Sequence, residues 1–351
     1  MSSSSAKGSS SSNKQNVKLA NIPIHDTGYG LMGLTWRANP VSQSQAFAAM
    51  KAALNSGANF WNGGEFYGPP TRNSLHLLNE YFTANPEDAD KVVISIKGGA
   101  KPGTLLPDGS AENTRRSIEE CLKVLDGKKK LDLYETSRVD PEVPIEIWVR
   151  TANEYVKAGK LGGISLSECS ANSIRRAAKV AKIDAVEVEF SLWATEILEN
   201  GVAAACAELD IPIVAYSPLG RGFLTGDIKK PEDIPEDDMR RHMPRFQPEN
   251  FGQNLKLLTE VEKLAQRKGV KPGQLAMAWV RAQSSKPGMP KFIPIPGATT
   301  PERVKENMVE VDLSEADIKE LDSLIASCTI VGRRYGQGSH LEFGDSPELK
   351  E

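Results

Sequence analysis

Eight strand-like segments alternate with helix-like segments along this chain, and this alternation limits the possible folds more than any other feature. The predicted strands cover residues 27–35, 58–62, 92–97, 131–137, 162–167, 184–190, 211–217 and 291–296. Several are nearly continuous apolar runs, which is typical of parallel strands buried on both faces. Eight strand-helix units in one chain predict an α/β fold of the closed (β/α)8, or TIM, barrel type.

An open, doubly wound parallel sheet is the alternative fold, and it would bind a dinucleotide at a glycine-rich first turn. Gly28, Gly30 and Gly33 match the spacing G-x-G-x-x-G. However, they lie within the first predicted strand and well before the next helix. No acidic residue is suitably placed at the end of the second strand to bind a ribose. We therefore favour the barrel.

The two ends of the chain differ in composition from the part between them. Residues 1–20 begin with a Ser-rich stretch, which predicts a disordered tail or a linker. Residues 21–331 form the predicted barrel, and residues 332–351 form a polar, Gly-rich C-terminal tail. No apolar run approaches the roughly 20 residues of a membrane span, and the N-terminus lacks the apolar core of a signal peptide. We expect a cytoplasmic protein, with an additional nuclear location as the alternative.

Charge and metal-ligand content exclude several classes of function. The 43 basic and 46 acidic residues give a net charge of −3, which argues against a basic nucleic-acid-binding face. The four cysteines and four histidines are widely spaced, with no C-x-x-C or H-E-x-x-H motif. We therefore expect no disulfide framework, no metal site and no histidine-based triad.

A tyrosine and a lysine follow two neighbouring strands, at the barrel end where active sites are built. Tyr67 lies just beyond the second strand, and Lys97 ends the third. A phenol with a pKa near 10 is a weak acid, but a neighbouring ammonium lowers that pKa. The pair could supply the proton for an alkoxide formed by hydride addition to a carbonyl. On spacing alone, a rim aromatic and a salt-bridged lysine explain the two residues better than a catalytic pair does.

Loops after the seventh and eighth strands predict a phosphate-bearing ligand. The first, 216–226, has glycines, hydroxyls and Arg221, and it begins a long Pro-rich and charged connection over 218–252. The second, 296–307, places Thr299 and Arg303 at a helix N-terminus, where open N–H groups attract phosphate. We infer at least two phosphate groups, with a flat ring stacked on Tyr216.

The motifs GLMGLT, GEFYG, SIKGG, SRVD, ISLSE, YSPLGRGFLTG and IPGATTPERVKEN, in this order, resemble the aldo-keto reductases, which are NADPH-using (β/α)8 barrels. The resemblance covers about residues 27–327. It implies NADPH/NADP+ as cofactor and a small aldehyde as substrate. We expect a monomer or weak homo-oligomer that binds neither nucleic acid nor membrane.

The resemblance also assigns residues to roles. It implies catalytic roles for Tyr67 as proton donor, Lys97 as its partner, Asn62 and Ser137. The cofactor-binding residues it implies are Met32, Gly33, Ser167, Glu168, Glu187, Tyr216, Ser217, Leu219, Arg221, Gly222, Gly297, Thr299, Arg303, Glu306 and Asn307. Ser167 and Glu168 would lie near the nicotinamide carboxamide, and Arg303 near the 2′-phosphate. Candidate substrate contacts are Trp36, Glu65, Glu135 and Arg138.

Two positions depart from the usual family pattern. Asn62 stands where most members have Asp, and Ser137 where they have His. We expect Lys97 to lack an anionic partner and to act more strongly on Tyr67. The combination WNGGEFYG with SRVDP resembles the fungal pyridoxal reductases, which implies reduction of pyridoxal to pyridoxine. A non-catalytic NADPH-binding redox sensor or regulatory subunit, and a reductase of another small aldehyde, remain alternatives.

Overall fold

The computed structural model describes residues 17–336 and 342–350, and within them eight parallel strands form a barrel surrounded by helices. The strands are β1 Lys18–Leu19, β2 Ile22–Pro23, β3 Tyr29–Gly30, β4 Phe60–Gly64, β5 Val93–Gly98, β6 Leu131–Thr136, β7 Leu161–Ser167, β8 Ala185–Glu189, β9 Ile213–Tyr216 and β10 Phe292–Pro294. The helices are α1 Met32–Thr35, α2 Gln43–Asn55, α3 Ser74–Ala84, α4 Ala111–Leu125, α5 Ile145–Lys157, α6 Ala171–Val180, α7 Val202–Glu208, α8 Pro248–Lys268, α9 Pro272–Ala282, α10 Pro301–Asn307 and α11 Glu315–Ser327.

The barrel closes between its first and last strands, which confirms the predicted fold. Strands β3 to β10 pair in chain order. The backbone N–H groups of Gly28 and Gly30 then donate to the carbonyls of Pro294 and Pro296, at 2.9 and 3.2 Å. A Cβ at Gly28 would lie only 2.7 Å from the Phe60 carbonyl oxygen. Close packing at the seam thus accounts for this glycine, without a dinucleotide-binding turn.

The barrel interior has an apolar layer below a polar one. The lower layer consists of Phe60, Val93, Leu133, Ala185, Val214 and Ile293. Side chains two residues apart on a strand face the same way, so the next inward positions lie one layer higher. These positions are Asn62, Ser95, Glu135, Glu187, Tyr216 and Ile295. An apolar floor therefore supports a polar layer at the carboxyl ends of the strands.

A short hairpin closes the opposite end of the barrel. Strands β1 and β2 pair antiparallel, and Leu19 and Ile24 pack against the lower apolar layer. Leu19 is completely buried. The predicted tail boundary at residue 20 therefore falls inside this hairpin. Residues 1–16 of that predicted tail lie outside the described residues.

The connection after β9 contains a helix that the sequence pattern did not reveal. Helix α8 begins at Pro248, inside the predicted long loop, because Pro suits the first helical position. Its buried residues Phe251, Leu258 and Val261 recur at helical spacing. None of the described helices is both long and apolar enough to cross a membrane.

The C-terminal segment packs onto the carboxyl end of the barrel at the positions the structure describes. Arg334 and Ser346 are buried. The backbone of Gly344 pairs with that of Cys169, just after β7. Residues 337–341 and 351 of the predicted tail lie outside the described residues. The described part of the C-terminal segment therefore forms part of the wall around the candidate site.

Candidate active site

Three charged side chains meet in the polar layer of the barrel. Lys97 on β5 and Glu135 on β6 are direct register partners, and Glu187 projects from β8. The Lys97 ammonium donates to the Glu187 carboxylate and lies 3.4 Å from Oε1 of Glu135. Each residue is at most 3% exposed. The cluster therefore holds a buried ammonium between two carboxyl groups.

This cluster overturns the expectation that Lys97 lacks an anionic partner. Glu187 on β8 supplies a carboxylate and Glu135 on the neighbouring strand β6 supplies a second carboxyl group, whereas the sequence suggested cofactor and substrate roles for them. The Asn62 amide donates to Glu187 at 2.5 Å and to Glu135 at 3.3 Å. A third carboxylate at position 62 would repel both glutamates, whereas an amide satisfies them. Glu135 and Glu187 thus supply the acidic groups that Asn62 lacks.

The balance of charge explains how the cluster is tolerated in a buried site. Burial alone would lower the pKa of Lys97, but the neighbouring Glu135 and Glu187 side chains outweigh it and raise that pKa. Burial and the neighbouring Glu187 raise the pKa of Glu135 to about 8. At neutral pH, Glu135 therefore keeps its proton. An ammonium beside a single carboxylate leaves the cluster without net charge, which limits the cost of burial.

Tyr67 lies next to this cluster, on the loop that follows β4. Its ring centre is 5.9 Å from Lys97 Nζ, and the residue is 8% exposed. A Cβ at Gly64 would lie 3.0 Å from the Tyr67 ring, so the glycine lets this ring fold back over the strand end. Burial raises the pKa of Tyr67 and Lys97 only partly offsets it. Tyr67 is thus a neutral phenol, and the expected net lowering of its pKa does not occur.

Ser137 and Arg138, which follow β6, each have a polar atom without a hydrogen-bond partner among the described residues. Ser137 is buried, and its Oγ has no partner among the described residues. Arg138 donates from Nη1 to the Ser137 carbonyl at 2.5 Å and is 3.5 Å from Ser167 Oγ. Its Nε is also unpartnered within the described chain. These groups could bind oxygen atoms of a ligand, which keeps Ser137 as a candidate for the missing imidazole.

The loop after β9 has the backbone expected of an anion-binding turn. Ser217 and Arg221 have φ values of 50° and 57°, and Gly222 has 90°. Non-glycine residues in this region are strained and cluster at functional sites. The Leu219 carbonyl fixes the turn by accepting from the N–H groups of Gly222 and Leu224, both at 3.0 Å. The Tyr216 ring centre is 5.3 Å from Lys97 Nζ, so this loop begins beside the Lys97 cluster.

The loop before α10 adjoins the first strand-helix unit. Thr300 caps α10 by accepting from the N–H of Arg303, at 3.3 Å. Arg303 binds Asp227 at 2.7 Å and Glu306 at 3.1 Å and remains 48% exposed. Thr299 lies 3.9 Å from the position of a Cβ on Gly33. With their glycines, arginines and helix N-terminus, both loops fit a cofactor that carries phosphate groups.

The remaining cofactor candidates lie around these two loops. Gly297 pairs with Gly30 at the barrel seam. Met32 is 39% exposed at the start of α1. Glu306 also binds Lys271 at 2.5 Å, and Asn307 ends α10. The positions of these four residues are consistent with contacts to a cofactor. Their predicted binding roles stay predictions.

Glu168 and Glu65, two further predicted ligand contacts, also bind protein groups. Glu168 is completely buried and forms two bonds with Arg334, at 3.0 and 2.9 Å. It also accepts from the Tyr216 hydroxyl at 2.8 Å. Both of its oxygens are therefore occupied, which leaves none for a carboxamide. Glu65 likewise accepts from Ser117 and Arg116 of α4, at 2.8 and 3.3 Å.

Trp36 packs beside the candidate proton donor, and its predicted contact with the substrate stays a prediction. Its ring centre is 5.4 Å from that of Tyr67, with the planes at 31°. The partner of Glu168 is the functional residue that sequence reasoning missed. Arg334 lies in a segment predicted to be a tail, and the only signal was an Arg-Tyr pair within a polar stretch.

Comparison with known proteins supports the chemistry of this site. Residues 27–326 match a profile of the aldo/keto reductase family. A probable pyridoxal reductase of Schizosaccharomyces pombe is 42% identical and covers 88% of this chain and 94% of its own. An NADP(+) aldo-keto reductase of the same yeast is 37% identical over 95% of this chain and 98% of its own.

A solved structure agrees with the architecture. The glycerol dehydrogenase from Gluconobacter oxydans superposes with a TM-score of 0.78 at 21% identity and covers 92% of this chain and 98% of its own. This likeness concerns the fold. The family match and the sequence relatives go further: the chain belongs to the aldo/keto reductase family and is an NADP-dependent oxidoreductase.

Proposed function

We propose that this protein reduces pyridoxal to pyridoxine with NADPH, and that Tyr67 donates the proton. The observation that carries the proposal is the position of a neutral, buried phenol next to the Lys97–Glu187–Glu135 cluster. A proton donor must be protonated before the reaction and must lose its proton easily during it. Burial meets the first requirement, and the nearby ammonium meets the second.

The chain's own groups would divide the work as follows. When bound, NADPH supplies a hydride to the aldehyde carbon. The aldehyde oxygen gains negative charge and takes the phenolic proton of Tyr67, which yields the alcohol. Lys97 stabilises the phenolate until it regains a proton from solvent. Glu187 holds Lys97 in place, and Asn62 holds the carboxylate of Glu187.

Pyridoxal suits the polar groups around Tyr67. Its aldehyde and ring hydroxyl offer oxygen atoms to the unpartnered Ser137 Oγ and Arg138 Nε. Its flat ring could pack against Trp36. The relative named as a probable pyridoxal reductase supports the same substrate. A relative of similar identity has a name without this substrate, so identity alone does not decide the aldehyde.

We propose cofactor contacts for the loops described above. Ser217, Leu219, Arg221 and Gly222 would hold the pyrophosphate, with Tyr216 against the nicotinamide. Gly297, Thr299, Arg303, Glu306 and Asn307 would surround the 2′-phosphate and adenine. Met32 and Gly33 would line the same groove, and Ser167 remains the candidate for the carboxamide. A 2′-phosphate would compete with Asp227 for Arg303, because the two residues already form an ion pair.

A non-catalytic NADPH-binding subunit is the second candidate, suggested by Asn62 and Ser137. The structure weakens the argument from Asn62, since Glu135 and Glu187 on other strands provide acidic partners for Lys97. The site therefore keeps the charged groups that reduction requires. Turnover of any aldehyde at about one per second or faster would argue against this candidate.

The experiment that tests the substrate is a panel of small aldehydes, pyridoxal included, assayed with NADPH and with NADH. We expect pyridoxal with NADPH to give the highest kcat/KM and pyridoxine to form in equal amount to the NADPH consumed. Preference for another aldehyde would keep the reaction class and refute the substrate. Absence of turnover with every aldehyde would favour the non-catalytic subunit.

We also propose a cytoplasmic location and a monomer or weak homo-oligomer. All four cysteines are free thiols, as in a reducing compartment. Light scattering after gel filtration tests the second proposal, since a stable large oligomer would contradict it.

A further inference from the structure

The side chain of Glu65, two residues before Tyr67, is surrounded by hydrogen-bond donors and is 11% exposed. Its Oε1 accepts from the N–H of Gly99 at 3.2 Å and from Nη2 of Arg116 at 3.3 Å. Its Oε2 accepts from the Ser117 hydroxyl at 2.8 Å. Each partner of these oxygens among the described residues is a donor. Glu65 therefore acts as an acceptor at both oxygens, as a carboxylate does.

Ser117 of α4 can serve Glu65 only as a donor. Its oxygen accepts from the Tyr134 hydroxyl at 2.7 Å and shares the N–H of Gly99 at 3.0 Å. A Cβ at Gly98 would lie 2.5 Å from this oxygen, so the glycine permits the close approach. A hydroxyl accepts two hydrogen bonds and donates one, so its single proton goes to Glu65. A Gln at position 65 would therefore oppose one of these donors with its own N–H group.

Glu65 also joins the loop that carries Tyr67 to the strand end that carries Lys97. Its N–H donates to the Lys97 carbonyl at 2.8 Å. Its carboxylate accepts from the N–H of Gly99, two residues further on. Strand β5 ends at the residue between them. One side chain and its own backbone thus bind β5 on both sides of its last residue.

Two other hydrogen bonds fix the backbone of the same loop. Asn73, the N-cap of α3, donates from Nδ2 to the Glu65 carbonyl at 2.6 Å. Thr35, at the end of α1, donates from Oγ1 to the Tyr67 carbonyl at 2.6 Å. The loop is thus attached to α1 and α3 through its carbonyl groups. The Glu65 carboxylate adds the attachment to α4 and β5.

We propose that Glu65 is a positioning residue for proton transfer, which holds Tyr67 at the distance from Lys97 that the reaction requires. This inference rests on the proposed reductase function and deepens it. The phenol ring centre lies 5.9 Å from the ammonium. A displacement of about 1 Å at a reacting group can lower a rate about a hundredfold. In this role Glu65 acts through Tyr67 and needs no contact with the aldehyde.

The test measures NADPH oxidation in a single turnover with saturating pyridoxal, because product release does not contribute to this rate. The proteins compared are the wild type, Glu65→Gln, Tyr67→Phe and the double variant. Glu146→Gln is the matched control, because the Glu146 side chain is 12% exposed and binds an arginine, Arg176, but lies on α5. Thermal unfolding and the Kd for NADPH establish that each variant folds and binds the cofactor.

We expect Glu65→Gln to lower the single-turnover rate about tenfold or more while the Kd for NADPH stays within about threefold. The solvent deuterium isotope effect on this rate should rise, because proton transfer then limits it. In Tyr67→Phe the same substitution should have little further effect, because it acts through the phenol. Glu146→Gln should behave as the wild type. Should Glu65→Gln fail to fold, Ser117→Ala removes the donor to Oε2 and should lower the rate in the same way.

A single-turnover rate within about threefold of wild type in Glu65→Gln would overturn the inference. An equal loss in the presence and absence of the Tyr67 hydroxyl, or an unchanged solvent isotope effect, would show a merely structural role and overturn it too. If the wild type reduces another aldehyde but not pyridoxal, the proposed substrate is refuted, and the same comparison with that aldehyde still tests Glu65. A wild type that reduces no aldehyde would overturn both.

Discussion

Replacing Glu135 with Gln should remove a large part of the pH dependence of stability. Burial and Glu187 raise the pKa of Glu135 from 4.5 to about 8. The folded state therefore keeps this proton over a pH range in which the unfolded state has lost it. Stability from this group is complete below pH 4.5 and is lost as the pH rises to about 8. A shift in this direction corresponds to an unfolding free energy on the order of a few kcal/mol.

Urea denaturation at pH 5, 7 and 9 measures this effect. Between pH 5 and 9 the wild type should lose several kcal/mol more stability than Glu135→Gln, because Gln has no proton to lose. Glu154→Gln is the control, since Glu154 lies on the surface in a pair with Arg115. Its pH dependence should follow that of the wild type. Parallel curves for Glu135→Gln and wild type would refute the assignment of a proton to Glu135.

The same substitution has a consequence for activity. An amide resembles a protonated carboxyl group in size and charge, so kcat/KM at pH 7 should stay within about threefold of wild type. A loss of a hundredfold would mean that Glu135 acts as an ionised partner of Lys97. Glu187 would then not be the group that balances the ammonium.

Three further tests address other parts of the structure. Arg303→Ala should raise the Kd for NADPH about tenfold or more and barely change that for NADH, measured by fluorescence quenching, and equal effects would contradict a 2′-phosphate contact. Arg334→Met should lower the unfolding free energy by about 3–5 kcal/mol in urea, and Glu168→Gln in the same chain should restore part of it, because the unpaired carboxylate is then gone. Leu19→Ala should destabilise by about 2–5 kcal/mol in the same assay if the hairpin closes the barrel, whereas an effect below about 1 kcal/mol would mean that it does not.

The sequence was sufficient to predict the barrel and to place Tyr67 and Lys97 next to each other at its carboxyl end. Eight strand-like segments at regular intervals leave few possible architectures. In a (β/α)8 barrel built from these strands, Tyr67 and Lys97 lie at the carboxyl ends of neighbouring strands. These predictions succeed because they depend on local pattern and on chain order. They need no knowledge of the side-chain register.

The partners of Lys97 could not be identified by local pattern, because Glu135 lies on the next strand and Glu187 is 90 positions further along the chain. Their signal was nevertheless present: Glu135 and Glu187 each follow an inward apolar residue by two positions. That alternation places both acids on the inner face, at the level of Lys97. Reading the register of all the strands together would have found the cluster.

The role of Arg334 was harder to predict for a physical reason. Its partner Glu168 is 166 positions away, and the segment around it is polar and rich in glycine. Such composition is typical of a disordered tail. Buried carboxylates at the barrel rim provide the anchor that the segment itself lacks. The missed helix α8 follows a Pro-rich stretch, which obscured its apolar spacing.

The most direct test of the account is the kcat/KM for pyridoxal reduction by NADPH in the wild type and in Tyr67→Phe. The account predicts a loss of about a hundredfold or more, because the alkoxide has no proton donor, while the Kd for NADPH stays within about threefold. Equal kcat/KM values in the two proteins would contradict the assignment of Tyr67 as the proton donor.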